Sequence, residues 1–139
     1  MHHPFGDLLG LKVVTQGDDA SRCTMAITPS LHNPNGVLHG GVVAALADTG
    51  MALALQPSLK PGEICATIDL NLTYFKPATS GELLCTTKVV NRGKRVAHLE
   101  SWVFCGEQRV ARAIGNFSIL VPSAAAALPD SQPARRTLE

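Results

Sequence analysis

The sequence NPNGVLHGG at residues 33–41 runs directly into an apolar segment, residues 42–55, whose one acidic residue is Asp48. The adjacent Gly40 and Gly41 allow a ligand to approach the backbone closely where the apolar segment begins. Backbone N–H groups at the start of a helix lack helical partners and attract negative charge. The stretch therefore predicts a helix start that stabilises a developing anion, followed by a helix with one acid, and this combination favours acyl-transfer chemistry.

Length and composition are typical of one globular domain. The chain has 139 residues, of which 45% are hydrophobic and 17% charged, and its formal net charge is +1. A near-neutral chain offers no electrostatic argument for nucleic acid as a partner. Residues 42–55 are shorter than the roughly 20 residues that cross a bilayer, so we expect no membrane span. Residues 1–7 do not resemble a secretory signal, which predicts a cytoplasmic protein.

The cysteines are isolated in the sequence, without the close pairs or partner histidines of a zinc site. We therefore expect no metal and interpret each as a small buried hydrophobe, with a disulfide or a nucleophilic thiol as the alternative. They are Cys23, Cys65, Cys85 and Cys105.

Hydrophobic periodicity predicts an α+β protein. The helix begins at about Leu38 and ends in residues 56–62, where two prolines cannot continue it. Because this helix is apolar nearly all round, the sheet must wrap around it. We expect one domain over residues 1–121, an antiparallel sheet of about six strands curved around one long central helix, and a mobile tail over 122–139. The predicted strands are residues 12–16, 22–28, 65–75, 82–90, 95–105 and 108–121.

His39 and Asp48 are the candidate reactive pair. They are nine residues apart, which at about 100° per residue places them on opposite sides of one helix. If both act, a symmetric dimer must bring the loop of one chain to the acid of the other. A buried acid costs several kcal/mol without compensation, which favours a functional Asp48 over one that only fixes helix packing. A lone histidine is also often structural.

The strand after the helix alternates polar and apolar residues. Thr67, Asp69, Asn71 and Thr73 would share one face, which is either solvated or lines a site. The Thr67 hydroxyl could hold a water molecule, although threonine is also a good strand former.

For two further groups of residues, the sequence is compatible with either a structural or a binding role. In residues 97–105, small side chains on one face suit a closely packed helix, and the mixed opposite face is a candidate subunit contact. That mixed face consists of His98, Glu100, Trp102 and Phe104. Basic residues in predicted turns either are solvated or bind phosphates at a pocket mouth. These are Lys76, Arg92, Lys94 and Arg95.

The motif pattern resembles the hotdog-fold acyl-CoA thioesterases, in the branch with the phenylacetyl-CoA and 4-hydroxybenzoyl-CoA thioesterases. It comprises Asn33, Gly36, LHGG at residues 38–41, Asp48, DLNLTY at residues 69–74 and Pro77, and the resemblance covers residues 10–120. It implies a hotdog fold, two chains that join their sheets edge to edge, often a dimer of dimers, and active sites between subunits.

The resemblance also implies roles for single residues. The Gly40 N–H would polarise the thioester carbonyl, a donor worth about 10²–10³ in rate. Asp48 of the other chain would act as nucleophile or as general base on water. Asn33 would hold the water or thioester, His39 would shape the loop, and Thr67 would help position the water. No metal or cofactor is required, since coenzyme A is part of the substrate.

The acyl group is left open by the resemblance, because the loop at residues 34–35 varies in the family. Aryl, short and medium acyl chains all remain candidates. Expected neighbours of the acyl group are Val42, Val43, Leu46 and Met51. Alternative functions are a non-catalytic acyl-CoA-binding module, a hotdog hydratase or dehydratase, and a structural homo-oligomer.

Overall fold

One long helix lies against a six-stranded antiparallel sheet in the computed structural model, which describes residues 2–123. This confirms the predicted α+β architecture. The predicted mobile tail lies outside the described residues from 124 onward. The helices are α1, Pro4–Leu9, and α2, Gly40–Leu55. The strands are β1, Lys12–Gly17; β2, Ala20–Ala26; β3, Ile64–Tyr74; β4, Glu82–Arg92; β5, Val96–Cys105; and β6, Gln108–Leu120.

The long helix α2 begins two residues later than the sequence predicts. The Leu38 N–H donates to the Ala78 carbonyl at 2.8 Å, which keeps residue 38 outside the helix. His39 caps the helix instead, with φ −63° and ψ 130°, and its Nδ1 accepts the Gly41 N–H. At the other end the chain passes into a short 3₁₀ turn, Gln56–Ser58, because Pro57 cannot continue an α-helix.

Strand order is β1-β2-β4-β5-β6-β3, so β1 and β3 lie at the two edges of the sheet. The β1–β2 turn is tighter than predicted, because Asp18 and Asp19 both adopt positive φ, 52° and 58°. Two such residues form the turn that best matches the twist of paired strands. Consequently β2 begins at Ala20 and ends at Ala26, two residues before each predicted bound.

The inner face of the sheet packs tightly on α2. A Cβ at Gly50 would lie 2.8 Å from Thr87 Oγ1, and one at Gly115 would lie 2.5 Å from Met51 Sδ. Ser21 Oγ also donates to the Gly50 carbonyl at 2.7 Å. The predicted small face of β5 contributes to this contact, as its buried members show: Ala97, Leu99, Ser101 and Val103.

A β-bulge in β3 overturns the prediction of one continuous polar face. Thr67 pairs with Phe117 and Asp69 pairs with Asn116, so Ile68 is an extra residue. A single extra residue reverses which side chains face the core. Thr67 therefore faces α2, whereas Asp69 lies on the outer face of the sheet. On the outer face, Asp69 Oδ1 accepts a hydrogen bond from Asn116 Nδ2, and the side-chain oxygen Oδ1 of Asn116 contacts His98 Nδ1.

Candidate active site

The first turn of α2 presents one open backbone donor. The Gly41 N–H is taken by His39 Nδ1 at 2.8 Å, and the Val42 N–H donates to the His39 carbonyl at 3.0 Å. Within residues 2–123, the Gly40 N–H donates to no protein acceptor. His39 thus shapes the helix start as expected, and by occupying Gly41 it leaves the donor at Gly40 free for a ligand.

Tyr74 anchors this helix start to the end of β3. Its hydroxyl donates to the Gly40 carbonyl at 2.6 Å. A Cβ at Gly40 would lie 3.2 Å from the same hydroxyl oxygen, so a larger residue would push the helix start away from the strand. Burial raises the pKa of the Tyr74 hydroxyl above its ordinary value. Sequence reasoning did not assign Tyr74 to the site, because this contact joins residues far apart in the chain.

Asn33 lies at the start of the loop that leads to α2. Its Oδ1 accepts the Asn35 N–H at 2.9 Å and the Val37 N–H at 3.4 Å. The Asn33 N–H donates to the Val37 carbonyl at 2.7 Å, which closes the turn. Because the loop uses the oxygen, the side-chain NH₂ is the group of Asn33 that remains for a water or a substrate carbonyl.

Asp48 and Thr67 form a direct contact between α2 and β3. Thr67 Oγ1 donates to Asp48 Oδ1 at 2.6 Å, and Asp48 is half-buried. The contact exists because the bulge at Ile68 turns Thr67 toward the helix. The hydroxyl holds one carboxylate oxygen and leaves the other free to accept a proton. Cys65 is close enough that the Asp48 charge reinforces burial in raising the pKa of its thiol.

Asp48 and the open Gly40 N–H are well separated within one chain. They are eight residues apart on the same helix, which corresponds to about 12 Å along its axis. A thioester carbonyl bound at Gly40 is therefore out of reach of Asp48 in the same chain. A complete site made by two chains therefore stays a prediction.

Two cavities flank these groups. A cavity of about 370 Å³ lies at the helix start, where Gly40, Val43 and Tyr74 line it. A larger cavity of about 680 Å³ lies between α1, the second half of α2 and the start of β3. Asp48 does not line this cavity itself, but Ala52, one helical turn after Asp48, and Cys65, whose thiol pKa is raised in part by the Asp48 charge, both line it. The apolar residues that line this cavity include Leu11, Val13, Ala52, Leu53, Leu59 and Cys65.

The residues expected around the acyl group have different environments. Val42 is half-buried and Val43 lines the cavity at the helix start. Leu46 and Met51 are fully buried and pack in the core beneath the sheet. The structure thus gives Leu46 and Met51 a packing role, and it offers the larger cavity beneath α1 as accessible apolar space.

Arg92 braces a loop. Its guanidinium donates to the Gly93 carbonyl at 2.6 Å and to the Ser58 carbonyl at 3.2 Å. It also pairs with the Glu63 carboxylate at 3.3 Å. The Lys60 backbone N–H and then Arg92 hold the pKa of Glu63 below its usual range. These contacts consume the guanidinium, so Arg92 joins the end of α2 to the β4–β5 turn rather than projecting toward a ligand.

The other basic candidates fall at two separate places. Lys94 and Arg95 line a cavity of about 430 Å³ together with Lys60. Lys76 instead lines the cavity at the helix start. The sequence grouped these residues because all lie in turns, but the fold places only Lys76 beside Gly40.

The cysteines form no disulfide, and two of them, Cys23 and Cys85, are fully buried as expected. In the described part of the chain, no cluster of three or more His, Cys, Asp or Glu side chains has an arrangement that could hold a metal ion. Over the same residues, no helix is both long enough and apolar enough to cross a membrane.

A six-stranded antiparallel sheet packed on one long helix is the architecture of the hotdog-fold thioesterases. The chain belongs to the thioesterase superfamily, whose family model matches residues 35–112. A conserved protein of Pseudomonas aeruginosa has the same fold, with a TM-score of 0.82 and 30% identity, over 86% of this chain and 96% of that one. A thioesterase of Haemophilus influenzae gives a TM-score of 0.80 and 25% identity, over 84% and 82% of the two chains.

Sequence comparison points to the same family. A 1,4-dihydroxy-2-naphthoyl-CoA hydrolase of Listeria monocytogenes is 25% identical over 88 residues, which are 63% of this chain and 72% of the relative. Curated relatives are matched over 58% to 88% of their own length. The printed names of these relatives support hydrolysis of thioesters by the family.

Proposed function

We propose that the protein is an acyl-CoA thioesterase that hydrolyses an acyl- or aryl-CoA to the free acid and coenzyme A. The observation that carries the proposal is the open Gly40 N–H at the start of α2, in a chain whose helix also holds the hydrogen-bonded acid Asp48. Family membership supports the thioester as the bond that is broken.

The helix start serves as the electrophilic half of the site. The Gly40 N–H donates to the thioester oxygen, where negative charge develops as the carbonyl carbon becomes tetrahedral. The positive end of the α2 dipole adds to this stabilisation. The free NH₂ of Asn33 is a second donor for the carbonyl oxygen or for the attacking water. Tyr74 holds the helix start in place through the Gly40 carbonyl.

Asp48 acts either as a general base or as the nucleophile. As a general base, it takes a proton from water while the water oxygen attacks the carbonyl carbon. The tetrahedral intermediate then expels the thiolate of coenzyme A, which receives that proton, and Asp48 regains its charge. As a nucleophile, Asp48 instead forms a mixed anhydride that water hydrolyses. In both routes Thr67 orients the carboxylate by its 2.6 Å hydrogen bond.

The acid comes from a second copy of the chain. Within the described residues, β3 pairs with β6 alone, so its other edge is open. An open edge strand is a template for pairing with another strand, and Ile68 there is 55% exposed. A twofold axis at the middle of β3 brings Asp48 of one chain toward the Gly40 N–H of the other. A dimer of dimers and a cytoplasmic location remain predictions.

The acyl group occupies the cavity of about 680 Å³ beneath α1. Two of its lining residues, Ala52 and Cys65, lie near Asp48, and most of its lining surface is apolar, so it suits an apolar acyl or aryl group. The coenzyme A part of the bound substrate extends from the thioester in the opposite direction, through the cavity at the helix start.

The test is free-thiol release from a panel of CoA esters: acetyl, hexanoyl, decanoyl, benzoyl and phenylacetyl. Asp48→Asn is the decisive variant, because an asparagine carbonyl can still accept the Thr67 hydrogen bond while it is neither a base nor a nucleophile. Asp18→Asn is the matched control, since Asp18 lies in the exposed β1–β2 turn and asparagine tolerates its positive φ.

We expect hydrolysis by the wild type and by Asp18→Asn, and a loss of about 10³-fold or more in kcat for Asp48→Asn. All three proteins should have the same oligomeric size and nearly the same Tm. Thiol release from none of the esters, or full activity of Asp48→Asn, would contradict the proposed function.

A further inference from the structure

The outer face of the sheet carries an aromatic and basic cluster at the end of β3. We call it the aromatic–basic patch; its members are Phe75, Lys76, Trp102, Arg109 and Arg112. The Phe75 and Trp102 rings stack with centroids 6.3 Å apart and an interplanar angle of 29°. The Arg109 guanidinium lies 4.9 Å from the Trp102 ring centroid, and that of Arg112 lies 5.4 Å from it.

Hydrogen bonds hold the centre of the patch in place. Trp102 Nε1 donates to Glu100 Oε1 at 2.7 Å, and Arg112 bridges to the same carboxylate at 3.3 Å. Arg112 is therefore neutralised by Glu100. Arg109 and Lys76 form no ion pair within residues 2–123, although Glu107 lines the same shallow cavity. The patch thus combines a fixed aromatic surface with two cations, Lys76 and Arg109, that are available to bind a ligand.

The patch is continuous with the helix start. The cavity at Gly40 and the shallow outer cavity at Trp102 share two lining residues, Phe75 and Lys76. Tyr74, which contacts Gly40, directly precedes them in the chain. A ligand that has its reactive carbonyl at Gly40 can therefore extend past Tyr74 and Phe75 to reach the outer face of the sheet.

We propose that the aromatic–basic patch binds the adenine nucleotide end of the coenzyme A ester. The proposal rests on the proposed function, because it assumes that the thioester carbonyl lies at Gly40. Phe75 is 48% exposed, so its outer face is open to a purine, with the Trp102 ring packed behind it. Lys76 and Arg109 bind the phosphates through charge-assisted hydrogen bonds.

The other basic cavity fits this role less well. Of its two arginines, Arg92 is consumed by bonds to Ser58, Gly93 and Glu63. It contains no aromatic side chain for a purine. It also shares no lining residue with the cavity at Gly40. Substituting Arg95 in that cavity and Arg109 in the patch therefore distinguishes the two basic sites as binders of the nucleotide.

The binding test uses Trp102 as a built-in probe, since it is the only tryptophan of the chain. Adenosine 3′,5′-bisphosphate, which has the nucleotide chemistry but no thioester, is titrated while the intrinsic fluorescence is recorded. We expect a saturable change with the full-length wild type and about a tenfold higher Kd for Arg109→Ala and for Lys76→Ala. Lys12→Ala, an exposed β1 residue, is the control and should leave Kd unchanged.

The kinetic test compares hexanoyl-CoA with hexanoyl-pantetheine, which lacks the nucleotide. Arg109→Ala should raise KM for hexanoyl-CoA by about tenfold, leave kcat unchanged, and have no effect on either constant for hexanoyl-pantetheine. Equal effects on the two esters would overturn the assignment of the nucleotide to the patch.

Other outcomes separate the patch from the proposed function. Absence of a fluorescence response, or a loss of binding in Arg95→Ala with none in Arg109→Ala, overturns the patch and leaves thioester hydrolysis intact. A smaller oligomer for Arg109→Ala with unchanged nucleotide binding would make this face a subunit contact, which also overturns it. Saturable binding in a protein that hydrolyses no thioester supports the patch and contradicts the proposed function.

Discussion

Heterodimers of two defective chains should reveal whether the active site is shared. One chain carries Asn33→Asp, which keeps the carbonyl oxygen that closes the loop turn but removes the NH₂ donors. The other carries Asp48→Asn. The two chains are co-expressed with different affinity tags, and sequential purification on both tags isolates heterodimers alone.

The expected activity follows from the geometry of α2. Because Asp48 and the Gly40 N–H are about 12 Å apart within one helix, we expect each site to combine the loop of one chain with the acid of the other. In the heterodimer, one site then has two intact halves and the other site has two defective halves. Thiol release from the best CoA ester should therefore be about half that of a wild-type dimer, whereas each mutant homodimer should be nearly inactive.

A reciprocal heterodimer makes the result decisive. In this pair one chain is wild type, and its partner carries both Asn33→Asp and Asp48→Asn. With shared sites each site has one defective half, so activity should be nearly absent. A site contained in one chain predicts the reverse, with about half activity here and almost none in the first pair. That reversal, or a protein that purifies as a monomer, would refute the reasoning.

Other substitutions test single contacts. Thr67→Val removes the hydroxyl that holds Asp48 and should lower kcat by about 10- to 100-fold with little change in KM; Thr67→Ser should restore most of the rate in the same thiol-release assay. Ala52→Phe narrows the cavity beneath α1 and should lower kcat/KM for decanoyl-CoA relative to acetyl-CoA by about tenfold or more. An unchanged chain-length profile would place the acyl group elsewhere. Glu63→Gln should lower Tm more at pH 7 than at pH 3, because the folded pKa of Glu63 lies below its ordinary value of 4.5, and the stability it contributes above that value is lost as the pH falls through the folded pKa.

Local chemistry explains why the elements were predictable from the sequence. Pro57 ends α2, paired turn residues separate the last three strands, and alternation marks the inner face of β5. These signals act over a few residues, so a single sequence reveals them. The motif with Gly40 and Asp48 likewise lies in one continuous segment, and this made the helix start predictable.

The parts of the site that escaped prediction depend on contacts between distant segments. Tyr74 reaches Gly40 across 34 residues, and no local pattern distinguishes it from any other aromatic at a strand end. Arg92 appeared as a turn cation, yet its bonds to Ser58 and Glu63 cross the fold. The bulge at Ile68 has no clear sequence signal, because the alternation of polar and apolar residues continues through residues 66–73 without a break.

That bulge connects the candidate chemistry to the expected dimer. It turns Thr67 toward Asp48 while Asp69 remains on the outer face with Asn116. It also lies at the middle of β3, whose free edge is the pairing surface that we propose. Within one chain, the Gly40 N–H and Asp48 are too far apart to act on the same bond. Both can act on one bond if the β3 strands of two copies pair antiparallel, edge to edge. Deleting Ile68 should therefore reverse the facing of the preceding strand residues and abolish thiol release, and a deletion variant that stays fully active would show that Thr67 has no part in orienting Asp48.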